Sequence, residues 1–137
     1  MKPEDYIAAA RRWINTPFRH QGCRRQAAAD CLGLVYGAAR DIGIPLEALP
    51  AYAPQPAAEA LERGLQECPA LEQTRTPGPG DILVFRFARD LQHVGILTGA
   101  NIIHAYQPLG KCVEHRFCSK WKARQLMAFR IKALHEQ

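Results

Sequence analysis

No apolar run in this 137-residue sequence approaches the roughly 20 residues that a transmembrane helix needs, so no membrane insertion is expected. The opening stretch, MKPEDYIAAARRW, lacks the apolar centre and small-residue cleavage site of a secretory signal. It is charged and amphipathic, and the expected product is made in the cytoplasm without a leader. No two cysteines have the CxxC spacing of a zinc or thiol-redox site, and the cysteine and histidine spacings suggest no metal or other cofactor. The five cysteines are Cys23, Cys31, Cys68, Cys112 and Cys118, an odd number, and without a leader all are expected to stay free. Internal repeats and low-complexity tails are missing as well.

What is present is the material of one small globular domain. A chain of this length holds one core and not two, so residues 1–137 are expected to fold as a unit. Eighteen basic side chains exceed 13 acidic ones, for a net charge of +5. The excess gathers around Arg11, Arg12, Arg19, Arg24 and Arg25, and again between Lys111 and Lys132. Such a balance attracts acidic partners, either nucleic acid or a polymer rich in carboxylates, or simply keeps the surface solvated.

Residues 4–14 place Tyr6, Ile7, Ala10, Trp13 and Ile14 at helical spacing, with Pro17 as the stop. The polar segment 17–29 reads as a loop. Cys31, Leu34, Val35, Ala38 and Ile42 recur at three and four residues and predict a second helix, capped by Asp30 and stopped by Gly43. Prolines mark a linker over 44–56, a third helix is expected over 57–67, and TPGPGD at 76–81 is a turn. After it DILVFRF, HVGILT, NIIHAY, CVEHRF and MAFRIK read as strands, with a short helix near 119–126. Helices first and strands later predict an α+β domain, N-terminal helices packed on an antiparallel β-sheet.

Cys31 stands at the start of its helix. Unpaired N–H groups there favour a thiolate and can donate to an oxyanion on an attacked carbonyl. Such a cysteine is more often mere packing, and as a nucleophile it needs a base. Of His20, His93, His104, His115 and His135, two stand out. If Gly99-Ala100 is a two-residue hairpin loop, Gly95 faces His104, and His93 lies two residues further along the same face. The rings are then diagonal neighbours, with Cβ atoms roughly 7 Å apart or less. A three-residue loop would put them on opposite faces. No partner can be named for His20 or His115, and His135 falls in the tail.

The order DCLGLVYGAARDIG, GDILVFR, HVGILTGANIIHAY, with WINTPFRHQG upstream, resembles the NlpC family of papain-like cell-wall peptidases from about Trp13 to Tyr106, and the resemblance is expected to run on to the end. The wording TPFRHQG, DCLGLV and HVGILTG followed by IIHAY is similar to the subgroup found in phage tail gene clusters and gene transfer agents. The resemblance implies a papain-like fold with Cys31 as nucleophile, His93 as base and His104 as orienting residue. It also implies hydrolysis of amide bonds in peptidoglycan stem peptides, typically between D-glutamate and a diamino acid, without a metal. The implied partners are a peptidoglycan peptide and phage-tail or tail-tip proteins, with no nucleic acid. The implied place of action is the cell-wall compartment, reached in a particle tail.

Two positions depart from the family pattern. Phe18 stands where most members have a tyrosine whose hydroxyl helps hold the oxyanion; Leu32 stands where most have a serine that positions the substrate amine. His20 or Gln21 is a candidate replacement donor, Phe18 reads first as core packing, and Asp30 is first a cap and also a candidate amine ligand. Two rivals remain: a structural tail-hub protein with little turnover, and an acyltransferase or amidase using the same residues.

Overall fold

The chain begins with α1 (Pro3–Arg11), in which Pro3 occupies a first-turn position and the Lys2 backbone N–H donates to the Asp5 carboxylate at 2.7 Å. The computed structural model describes residues 1–46, 58–87 and 92–136. The helix is shorter than the expected 4–14. It closes on i→i−3 bonds at Trp13 and Thr16, with Asn15 at φ 74°. These turns drive Trp13 into the core, where its indole N–H donates to Asp41 at 2.9 Å.

The segment expected as a plain loop contains a two-stranded ribbon, β1 (Cys23–Arg24) against β2 (Ala28–Ala29). Next comes α2 (Cys31–Asp41), starting at the expected residue with Asp30 as its cap. The Tyr6 hydroxyl donates to the Val35 carbonyl at 2.7 Å and ties α1 to α2. Most of the expected 44–56 linker lies outside the described residues. The third helix, α3 (Ala58–Gln66), falls where it was expected.

The sheet follows: β3 (Leu71–Thr74), β4 (Ile82–Arg86), β5 (Gln92–Leu97), β6 (Asn101–Tyr106) and β7 (Lys111–Arg116). A one-turn helix α4 (Ser119–Lys122) and a last strand β8 (Gln125–Ile131) complete it. The strand order is β3-β8-β4-β5-β6-β7, every neighbouring pair antiparallel. β3 escapes sequence reading because LEQT offers one large apolar residue, Leu71, which pairs with Ile131.

Alternation along the strands divides the core in two. Ile82, Val84, Val94, Ile96, Ile103 and Ala105 face α1 and α2. Leu83, Phe85, Leu97 and Ile102 face the other way and are covered by Trp121 of α4. Burial on both faces explains why the strands read as nearly unbroken apolar runs rather than as clean alternation.

Candidate active site

Cys31 is the first residue of α2, and the loop before it is drawn tightly against that helix. Buried Asp30, 4% exposed, accepts from Gly33 N–H at 2.8 Å and from Gln21 N–H at 2.7 Å. Gly33 is required by close approach: a Cβ there would lie 1.7 Å from the Gly22 carbonyl oxygen. One carboxylate therefore caps the helix and pins the 19–22 loop beside the thiol. His20 Nδ1 stands 4.0 Å from the same carboxylate, and Gln21 adopts φ 59° to bring its N–H there. Both are thereby brought next to Asp30, although their side chains are largely exposed.

Phe18 is half-buried, packs on the helix-side core and bridges Ala29 through its backbone, so the packing role is the visible one. Leu32 is buried in that same core. Its side chain packs inward from the first turn of α2.

β5 and β6 form the expected hairpin. Ile96 pairs with Ile103 and Leu97 with Ile102, and Gly99, at φ 124°, occupies the turn. His93 and His104 therefore share a face, and His93 Nε2 lies 2.6 Å from His104 Nδ1. Gly95 makes room for this, since a Cβ on it would come within 3.2 Å of the His104 Cβ. The rings sit in an aromatic box. Phe87 stacks on His93 at 5.3 Å, Tyr106 on His104 at 5.0 Å, and Trp121 meets His104 edge-on at 4.9 Å.

His115 was the residue that sequence reasoning missed. It lies on β7 opposite Ile102, diagonal to His104, and its Nε2 is 2.8 Å from His104 Nε2. A clue was available: His93, His104 and His115 are spaced evenly, eleven residues apart. Among the described residues no cluster of three or more His, Cys, Asp or Glu is arranged to hold a metal ion.

The ladder between β5 and β6 holds, among the described residues, only at its two pairs near the turn. α2 packs against both strands. Backbone N–H groups of Val94, Leu32 and Cys31 lie close enough to the Cys31 thiol to favour its charged form. In this resting arrangement no hydrogen bond joins Cys31 to His93 among the described residues.

The electrostatics differ from the expected low thiol. Burial, reinforced by the negative Asp30, pushes Cys31 up to about 12, more than the backbone bonds lower it. Burial holds His93 down to about 3 and, with its two neighbouring imidazoles, His104 to about 2. Desolvation thus outweighs the neighbouring backbone N–H groups, and both shifts favour a thiol beside neutral imidazoles. All five cysteines are free, as expected, and Cys68 and Cys112 are buried.

The model of the NlpC/P60 family matches residues 15–130. Among solved structures, the chain is similar to the NlpC/p60 domain of the peptidoglycan hydrolase SagA, at 19% identity and TM-score 0.66, covering 93% of this chain and 97% of that one. An NlpC/P60 family protein from Bacillus cereus matches at 16% identity and TM-score 0.69, over 96% of this chain and 40% of that one. An N-acetylmuramoyl-L-alanine amidase from Bacteroides uniformis matches at 11% identity and TM-score 0.58, over 94% of this chain and 98% of that one. These likenesses show a shared fold. No curated protein matches the chain.

Proposed function

The chain belongs to the NlpC/P60 family, and on that premise we propose that it is a cysteine peptidase cutting an amide bond in peptidoglycan stem peptides, between D-glutamate and a diamino acid. The observation that carries this reading is the His93–His104 bond of 2.6 Å, on a strand whose next residue, Val94, has its backbone beside the thiol of a helix-start cysteine. Three groups in these relations form a nucleophile, a base and an orienter.

In the reaction, Sγ turns from the Val94 backbone to His93 as substrate enters, a tightening common to resting sites. His93 Nδ1 takes the thiol proton while sulfur attacks the carbonyl carbon. The N–H groups at the start of α2 receive the oxyanion. His93 then gives its proton to the leaving amine, the C–N bond breaks, and a thioester remains on Cys31. Water, deprotonated by His93, releases the acid and restores the thiol.

The motif wording TPFRHQG, DCLGLV and HVGILTG supports assigning the protein to a phage or gene-transfer-agent tail, acting in the cell wall after delivery by the particle. The positive net charge suits a carboxylate-bearing wall polymer. Purified disaccharide peptides incubated with the protein and resolved by mass spectrometry test the proposal. A new free amine on the diamino acid supports it. A free amine on L-alanine marks an amidase, and an unchanged substrate marks an inert tail protein.

A further inference from the structure

Three imidazoles stand in file, and the last is anchored by a group that can act in only one way. His115 Nδ1 lies 3.0 Å from the carbonyl oxygen of Arg116. A carbonyl oxygen only accepts, so Nδ1 of His115 carries the proton. In its neutral form the imidazole has one N–H, and His115 Nε2 is then an acceptor. Its partner at 2.8 Å, His104 Nε2, must then donate. That leaves His104 Nδ1 as the acceptor of the 2.6 Å bond, so His93 Nε2 donates to it. The last unprotonated nitrogen in the file is His93 Nδ1.

We infer that His115 is a positioning residue which, through His104, fixes the tautomer of His93 with Nδ1 bare and ready to take a proton. The inference deepens the peptidase reading and rests on His93 being the base. His104 alone does not settle the matter, because an imidazole with an unconstrained far nitrogen can present either a donor or an acceptor to His93. The fixed point is the Arg116 carbonyl, held where β7 pairs with β6 at Asn101 and Arg116. Trp121, edge-on to His104 and 5.4 Å from His115 ring to ring, keeps the rings from turning. His104 is fully buried whereas His115 is partly exposed, so the file runs from the interior towards solvent.

The test uses His115→Phe and His115→Gln in the full chain. Phenylalanine keeps a ring beside Trp121 but offers no acceptor; the glutamine side-chain oxygen can accept from His104 Nε2. His115→Phe is expected to lower kcat on muropeptide about ten- to a hundred-fold with KM little changed, a part of the roughly 10²–10⁴ that a positioned base contributes. His115→Gln is expected to recover much of that loss. Nitrogen-15 NMR of labelled histidines gives a readout that needs no turnover. Wild type is expected to show His93 protonated at Nε2 and bare at Nδ1, and His115→Phe a mixture of tautomers. A wild-type His93 protonated at Nδ1 would overturn the inference. So would tautomers indifferent to His115→Phe, or equal losses in the two variants. If no variant and no wild-type protein turns over wall peptide, the peptidase reading fails, while the NMR result still decides the tautomer.

Discussion

Replacing Asp30 by alanine should lower stability and raise the acidity of Cys31 at once. The buried carboxylate holds two backbone N–H groups, Gly33 at 2.8 Å and Gln21 at 2.7 Å. Loss of a helix cap costs about 1 kcal/mol, with a range of roughly 0.5–2. Loss of the charged bond to Gln21 costs about 1.5–3 kcal/mol in a buried setting, and less here because water can reach an exposed loop residue. Relief of the buried charge offsets part of this. The expected net loss is about 2–3 kcal/mol, or roughly 10 °C in Tm for a domain of this size. Asp30→Asn keeps the cap oxygen and loses only the Gln21 bond, so it should fall about halfway. The Asp30 charge raises the Cys31 pKa, so both variants should alkylate Cys31 at lower pH than wild type does. Urea denaturation and iodoacetamide rates read the two effects separately. A stability change within about 0.5 kcal/mol for the alanine variant, or an unmoved alkylation profile, would refute the double role given to this carboxylate.

Three further outcomes are expected. His93 and His104 stay neutral when folded, at about 3 and about 2, and charge near 6.5 when unfolded. The unfolded state then binds more protons below pH 6.5, so stability is full above that value and falls as the medium is acidified, by about 3 kcal/mol per pH unit for the two together; a urea midpoint unchanged between pH 7.5 and 5 would contradict this. Cys31, pushed up to about 12, should alkylate more slowly at pH 6 than exposed Cys118, whose pKa is lowered by backbone bonds; a fast, pH-independent Cys31 rate below pH 7 would reveal a preformed thiolate–imidazolium pair instead. Phe18→Tyr should preserve or raise kcat, by up to roughly 3 kcal/mol of transition-state stabilisation if the hydroxyl reaches the oxyanion; a marked loss with the fold intact would show that the apolar contact is what the site needs.

The helices and most strands were legible because their signals are local. Asp30 before a three-and-four apolar repeat marks an N-terminus, and Gly99 between two apolar runs marks a tight turn whose register places His93 beside His104. What could not be read depends on distant segments. The third imidazole needs the β6–β7 register, which the Gln107–Leu109 turn sets without a two-residue signature. The short ribbon of β1 and β2 owes its form to contacts such as the Gln26 N–H with Thr16 at 2.9 Å. The burial that raises the Cys31 pKa is also set by distant segments. The helix terminus is visible in sequence, but the packing of β5 and β6 on α2, whose desolvation raises the thiol, is not.

The central claim is that Cys31 attacks an amide carbonyl and carries the acyl group. Rapid mixing with muropeptide, acid quenching and peptide mapping by mass spectrometry test it directly. The expected result is a thioester adduct of the acyl fragment on the peptide containing Cys31, absent from Cys31→Ala and diminished in His93→Ala. Turnover that persists in Cys31→Ala, or an adduct on any of the other four cysteines, would contradict the account.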